Sequence, residues 1–491
     1  MSRRLLDLAL GHRSTPSQRL SRRELLQFGL AAGAGLLSGR SLVASTNLAR
    51  PRILVVGAGF SGLACAYELT SAGYDVKVLE ARRRVSGRVT SLSDLIPGKI
   101  VEGGGEMVGS NHPHALAYAA RFGLKLREVV RDEAPPPILL QGNRLTNADV
   151  VRISGEVDAA LKRMTADARP VVVDEPWKTP DAVRLDRTST GDWIGQQDMM
   201  PLAKALLSAQ LTATNGVAVS RQSYLGNLSQ VCGGGFDKYW TDTEVYRVEG
   251  GNQQYAERFA EKVGQDRIRL NCPVKEIIAG SNGMVVVDGE GDRHHVDDVV
   301  LAVPPSVWSE IQFSPALPET LKPQMGLNVK FLSVVKGRFW QQAGVSSNAI
   351  TDLDLAQTWE ATDGQGDTGP MALVAFSGGP AADANHRRAE ATRQPAYLAM
   401  LESAYPGFSE QFIKGRFMNW VGDPWTRAGY SFPAPGQVTT VGPALRAGQG
   451  RLHFAGEHTC YQFVGYMEGA MTAGASLAKR IAVRDGVVTR P

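Results

Sequence analysis

Cysteine is scarce in this chain. Four thiols, Cys65, Cys232, Cys272 and Cys460, are scattered through 491 residues without a C-x-x-C pair, so neither a zinc site nor a disulfide framework is readable. The eight histidines add no metal-ligand spacing, and the adjacent pair His294-His295 follows a glycine-rich turn and reads as a solvated strand end. An excess of one charge is also lacking: 53 Lys and Arg stand against 49 Asp and Glu, for a formal net charge of +4. Much of that excess sits in the first 23 residues, so the body is close to neutral and nucleic acid is not an expected partner. Beyond residue 50 no window reaches 18 apolar residues, which excludes a transmembrane anchor in the mature chain. Internal repeats and low-complexity tracts are missing too.

Glycine is plentiful, at 53 residues, and the balance of 43% hydrophobic to 21% charged residues suits an α/β enzyme of two or three structural units. The most informative stretch runs from Arg52 to Glu80. Ile53-Leu54-Val55-Val56 is an unbroken apolar run, as in a buried parallel strand, and it ends in Gly57-Ala58-Gly59-Phe60-Ser61-Gly62. A helix follows to about Ser71, Gly73 stops it, and Tyr74 to Leu79 reads as a second strand. In such a unit Gly57 turns the chain, Gly59 admits a pyrophosphate and Gly62 brings helix and strand together. The phosphates sit on the helix N-terminus, with Ser61 in its first turn. Glu80 stands roughly 20 residues beyond the last glycine, where an acid accepts hydrogen bonds from a ribose and disfavours a 2′-phosphate. Dinucleotide binding is therefore expected.

The first fifty residues have a different character. Six arginines precede the short apolar run from Phe28 to Leu37, and Ser21-Arg22-Arg23-Glu24-Leu25-Leu26 resembles a twin-arginine export signal, with a small-residue cleavage site near Val43-Ala44-Ser45. Periplasmic or secreted localisation is expected. Within the body, Pro113 to Phe122, Met200 to Thr212, Gln254 to Val263 and Gly465 to Ile481 read as helices, and Ile268 to Val303 reads as a small antiparallel meander re-entering a parallel sheet.

Several segments carry a more specific likeness. Phe454-Ala455-Gly456-Glu457-His458-Thr459 followed by Gly465-Tyr466-Met467-Glu468-Gly469-Ala470 resembles the flavin-dependent amine oxidases of the monoamine oxidase and L-amino acid oxidase superfamily. Glu80-Ala-Arg-x-Arg-Val-x-Gly-Arg88 is similar to the flavin segment of that family, with Ser86 where a glycine is usual. The resemblance implies FAD rather than NAD as cofactor. It implies that Arg82 and Arg88 hold ribose and phosphate oxygens, that Gly104 and Gly105 pass the flavin ring, and that Gly87 and Glu106 belong to the same cofactor-binding set. It also implies that the Val274 backbone meets the adenine, that Gly456-Glu457 ends against the ribityl chain, and that the helix start at Tyr466-Met467 faces the pyrimidine end. Tyr430 and Tyr466 match the two aromatic walls that sandwich an amine. Lys330, ten residues before Trp340, resembles the lysine that holds a water beside flavin N5. Gly429 stands where the mammalian enzymes carry the flavin-bonding cysteine, so FAD is expected to be noncovalent. Phe463 replaces a tryptophan near this cage.

The implied fold is α/β, a Rossmann-like FAD-binding domain with an inserted mixed α+β substrate domain. Residues 1–50 are read as the export signal, 51–131, 246–312 and 409–485 as the three parts of the FAD-binding domain, and 132–245 and 313–408 as the two parts of the substrate domain. The implied activity is oxidation of an amine to an imine by hydride transfer to flavin, with oxygen reduced to hydrogen peroxide and the imine hydrolysed to aldehyde and ammonia. An L-amino acid oxidase giving a 2-oxo acid is the alternative. Such a substrate needs a buried cation for its carboxylate, and Glu106-Met107-Val108-Gly109 offers an acid instead. A small-molecule amine or amino acid and molecular oxygen are the implied partners, no metal is needed, and the sequence is compatible with a homodimer.

Overall fold

The computed structural model describes residues 51–130 and 134–488; the leader assigned to residues 1–50 lies outside them. The apolar run forms β1 (Arg52–Val56), in which every residue after Arg52 is buried, as expected of a strand covered on both faces. The glycine turn leads into α1 (Phe60–Ser71) and on to β2 (Asp75–Leu79). Far along the chain, β3 (Ile268–Arg269), β4 (Asp298–Leu301) and β5 (Leu452–Phe454) complete a parallel sheet in the order β5-β4-β1-β2-β3. At the turn, Gly57 takes φ +103°, and a Cβ on Gly62 would lie 2.0 Å from Gly57 O. The tight turn and the close helix approach read from the motif are both present.

Helix α2 (Met467–Arg484) lies along α1 at near contact: a Cβ on Gly474 would fall 2.2 Å from Ser61 O. These helices, together with Pro113–Phe122 and Gln254–Val263, bury Leu63, Leu69, Tyr118, Tyr255, Phe259 and Ile481 against the sheet. At about 1.5–3 kcal/mol for each large apolar side chain removed from water, this layer dominates the stability of the cofactor half. The Pro113–Phe122 helix has no local side-chain cap. Glu468, on the first turn of α2, instead accepts hydrogen bonds from His114 N (3.0 Å) and Ala115 N (2.8 Å).

The expected meander forms a separate four-stranded sheet: Val274–Gly280, Gly283–Asp288 and Arg293–Val296 run antiparallel, and Gln312–Ser314 adds to the first in parallel. The inserted half is built on a seven-stranded sheet in the order Phe412–Met418, Asn328–Val335, Met371–Gly378, Gln357–Glu360, Ile350–Thr351, Ile138–Leu140, Asn143–Arg144. Helices Asn147–Asp167, Pro201–Asn215 and Tyr224–Gly233 share a second core. One boundary is corrected. The strand Phe412–Met418 falls in the 409–485 segment assigned to the cofactor half, yet it pairs with Asn328–Val335, Met418 opposite Lys330. Its Phe412 and Phe417 pack with Phe331 and Tyr397 behind the substrate sheet, and that apolar layer holds the strand there. Among the described residues no helix is long and apolar enough to cross a membrane.

Ser86, the departure from the usual glycine, keeps a backbone conformation that favours glycine. It takes φ +84°, a conformation that costs an L-residue about 1–2 kcal/mol, and it is held there from several sides. Ser86 N donates to Ala58 O at 2.8 Å, Ser86 Oγ donates to Val89 O at 2.6 Å, and Arg84 Nη1 donates to Ser86 Oγ at 2.7 Å. The loop is thereby seated on the glycine turn. Ser86→Ala, which keeps the strain and loses both side-chain bonds, is expected to lower stability by about 2 kcal/mol. Ser86→Gly, which loses the bonds but relieves the strain, should lower it by less than half as much. Denaturant titration of both variants checks the order, and equal losses would refute it.

Candidate active site

One cleft starts at the C-terminal ends of β1 and β2 and reaches the face of the seven-stranded sheet. Open parallel sheets bind ligands at this end of their strands. Of the site residues read from the sequence, Gly57, Gly59, Ser61, Glu80, Arg82, Gly87, Arg88, Gly104, Gly105, Glu106, Val274, Lys330, Tyr430, Gly456, Glu457, Tyr466 and Met467 all line it. Gly62 does not; its place is in the helix–turn contact behind the wall.

The glycine-turn end fits a dinucleotide. A Cβ on Gly59 would meet nothing within 4 Å, so the backbone is bare to the cleft, and the buried Ser61 Oγ beside it has no hydrogen-bond partner. A phosphate oxygen would satisfy that hydroxyl and the exposed helix start. Glu80 is held in place by Ala58 N (2.7 Å) and Arg82 N (2.8 Å), which together use one hydrogen bond on each carboxylate oxygen and leave lone pairs for a ribose. Cys272 N donates to Glu80 O at 2.8 Å, which brings the Cys272-Pro273-Val274 wall alongside. Arg82 Nη2 donates to Asp423 Oδ1 (2.5 Å) and Thr426 Oγ1 (2.6 Å), and Arg88 Nη1 to Gly429 O (2.7 Å) and Glu457 Oε1 (2.9 Å). Each guanidinium has five N–H groups, so both retain donors for phosphate or ribose oxygens.

Two of the acids that line the cleft are also committed to protein partners. Glu457, read as part of the ribityl-facing segment, has its carboxylate taken by protein donors: Arg88 on Oε1, and Ser431 Oγ (2.6 Å) and Gly465 N (2.9 Å) on Oε2. Burial opposes its charge, but Arg88 holds the carboxyl below its usual range. It therefore knots together the loops that carry Tyr430 and Tyr466. Glu106, read as a cofactor-binding residue, lines the cleft and is also the counter-ion of a buried cluster. Its Oε2 accepts from Lys330 Nζ at 2.7 Å, while Oε1 accepts from Arg247 Nη2 (2.9 Å) and Trp359 Nε1 (2.9 Å). Arg247 also pairs with Asp363.

Lys330 itself has three ammonium hydrogens and three protein acceptors: Glu102 O (3.2 Å), Gly104 O (2.8 Å) and Glu106 Oε2. Through these bonds Lys330 fastens the Glu102 to Glu106 segment to the substrate sheet. It shares its row of that sheet with Phe376 and Gln357, and Asn328 and Trp359 lie two residues along on the same face.

Tyr430 OH donates to Thr214 O at 2.7 Å and accepts from Asn328 Nδ2 at 3.1 Å. Tyr466, the residue before α2, has its hydroxyl 3.5 Å from Tyr239 OH, and its ring meets His112 edge to face at 5.6 Å. Burial, and after it the Glu244 carboxylate, raise the Tyr430 phenol far above its ordinary range; Tyr466 is raised by burial, Tyr239 and Glu244. Both walls are neutral phenols at physiological pH. A Cβ on Gly429 would lie 2.0 Å from Asn328 Oδ1, so the space a cysteine would need at this position is filled. Asn328 could have been found from sequence, since it precedes Lys330 by two on a strand. Glu244 had no such signal: it lies on a bend between Asp237–Asp242 and Tyr246–Val248.

A dinucleotide cradle in the same cleft as two buried phenols, Tyr430 and Tyr466, fits a flavin-type oxidoreductase for small substrates. The pattern described as flavin containing amine oxidoreductase matches residues 60–482, and the chain belongs to that family. It is 25% identical to the probable flavin-containing monoamine oxidase A of Dictyostelium discoideum, over 87% of this chain and 97% of that one. It is 26% identical to an L-amino acid dehydrogenase of Synechocystis, over 87% and 94%. Its fold superimposes on cyclohexylamine oxidase from Brevibacterium oxydans with a TM-score of 0.80 at 25% identity, covering 89% of this chain and all of the other. The protein is an FAD-dependent oxidoreductase acting on amines.

The cluster has a titratable margin. Lys330 and Arg247 are balanced by Glu106 and Asp363, and the nearby buried Glu102 is surplus. Burial first, and Glu106 among its neighbours, push the Glu102 carboxyl up to about 8. The folded protein then holds a proton that the unfolded chain releases at about 4.5, so stability falls as pH rises between these two values. Glu102→Gln is expected to flatten that decline in thermal midpoint between about pH 5 and 8. An unchanged slope would show that Glu102 is already ionised in the folded state.

Proposed function

We propose that the enzyme oxidises an amine to its imine with molecular oxygen as the electron acceptor, so that two electrons and two protons leave the C–N unit and appear in hydrogen peroxide. Water then adds to the imine and releases aldehyde and ammonia. Bound FAD supplies the two-electron redox chemistry. The observation that carries this reading is that Tyr430 and Tyr466 line the same cleft as the glycine turn.

The residues contribute orientation and desolvation. Thr214 and Asn328 fix the Tyr430 hydroxyl, and Tyr239 and His112 brace Tyr466, so the two rings are set before a substrate arrives. As neutral, buried phenols they exclude water and offer π-faces to a polarised amine. Glu457 holds both tyrosine loops in register, and Lys330 with Glu106 does the same for the Glu102 to Glu106 wall. No protein nucleophile is required. A carboxylate-bearing substrate is less well served. Each of the three cations lining the described cleft already faces an acid, Arg82 with Asp423, Arg88 with Glu457 and Lys330 with Glu106. That favours an amine over an amino acid. The filled space at Gly429 favours noncovalent FAD.

Purified enzyme mixed with amines under nitrogen is expected to lose its flavin absorption, and in air to form peroxide. Tyr430→Ala and Tyr466→Ala should each lower kcat/KM at least about tenfold while retaining flavin. Acid precipitation should release the yellow cofactor into the supernatant. Turnover unaffected by both substitutions would refute the proposed slot, and colour that stays in the pellet would refute noncovalent binding.

The basic leader with its arginine pair supports export by the twin-arginine route to the periplasm. In a bacterium with that route, the full chain should fractionate with the periplasm, and replacing Arg22 and Arg23 by Lys should hold it in the cytoplasm. Equal distribution of the two forms would count against export.

A further inference from the structure

Five carboxylates line the cleft, and four of them are occupied. Glu80 accepts from two backbone N–H groups, Glu106 from Lys330, Arg247 and Trp359, Glu310 from Arg427 (2.6 Å), and Glu457 from Arg88, Ser431 and Gly465. Glu244 is the exception: among the described residues it has neither a hydrogen bond nor an ion pair, although it is half-buried. It also stands on the substrate side. Among the polar groups that line the cleft with it are Thr214, Asn215 and Gln230, on the helices that carry the second core, and its charge is felt by Tyr239, Tyr430 and Tyr466 together.

Glu244 is only partly withdrawn from water, and among the described residues no protein cation balances its charge. A ligand that brings its own cation would pair with it. The three lining cations are paired already, so the protein supplies none. The reacting nitrogen must be neutral to give up electrons, and that nitrogen sits between the tyrosines. A carboxylate at the edge of the same slot therefore suits a different nitrogen of the same molecule.

We propose that Glu244 is a specificity residue that receives a second, non-reacting ammonium group, so that the substrates this enzyme selects are diamines or longer polyamines. The proposal rests on the amine oxidase reading above. Glu244 takes no part in the redox step. It forms a charge-assisted N–H···O bond to the distal ammonium and so draws the chain of the substrate through the tyrosine slot in one direction.

The test compares 1-aminobutane with 1,4-diaminobutane and its longer homologues, using purified holoenzyme and peroxide release. The wild type is expected to prefer the best diamine over 1-aminobutane by about tenfold to hundredfold in kcat/KM, the gain of one charge-assisted bond, with the difference carried by KM. Glu244→Gln should collapse that ratio at least about tenfold, and Glu244→Asp should restore part of it for a homologue of different length. A wild type that shows no preference for any diamine overturns the proposal without touching the amine oxidase reading. So does a Glu244→Gln variant that loses turnover of both amines equally, which would place the carboxylate at the reacting nitrogen. If no amine bleaches the flavin or yields peroxide, the amine oxidase reading itself fails, and this proposal falls with it.

Discussion

The interaction on which the site depends is the buried cluster of Lys330, Glu106, Arg247 and Asp363. Each charge comes from a different stretch of chain, and each is nearly sealed from solvent. Ions in that position are tolerated only when every one is paired and hydrogen-bonded, and removing one partner of a buried pair costs about 3–5 kcal/mol. The chain satisfies the condition by bringing the substrate sheet, through Lys330, onto the Glu102 to Glu106 segment of the cofactor half. Trp359 Nε1 adds the last donor to Glu106. The two halves are thus docked by charge compensation at the place where cofactor and substrate must meet.

A second knot, around Glu457, works the same way on a smaller scale. One carboxylate reaches Arg88 of the flavin-type loop, Ser431 beside one tyrosine and Gly465 beside the other. A family position that faces the cofactor in sequence terms thereby acts in space as a clamp for the substrate walls. Both knots commit acids to the architecture, and this is what makes Glu244, an acid without a partner among the described residues, informative. The cleft otherwise carries little free charge, and its walls are chiefly apolar or aromatic.

The cofactor half was largely legible because its signals are local. The strand, the glycine spacing, the helix and Glu80 lie within thirty residues, and each has a fixed geometric reason that the folded chain reproduces. Ser86 is the instructive deviation. Its identity flagged a departure, but only the surrounding bonds from Arg84 and to Val89 show why an L-residue holds a left-handed turn there. The substrate half was legible in outline only. Strand Phe412–Met418 falls to the wrong side of the domain boundary because nothing in its seven residues says which sheet edge it completes; Phe331 and Tyr397, distant in sequence, decide that.

The dinucleotide-binding unit, the family, and the identities of the two tyrosines and the lysine follow from the order of amino acids alone, since these rest on short motifs whose spacing has a physical meaning. What each charged side chain does emerges only when the segments fold together. The three protein oxygens bonded to Lys330 and the counter-ion role of Glu106 are not readable from the family likeness, and Glu244 carries no signal at all. The reason is that a motif encodes backbone geometry within one segment, whereas the partner of a buried charge is supplied by whichever segment packs against it.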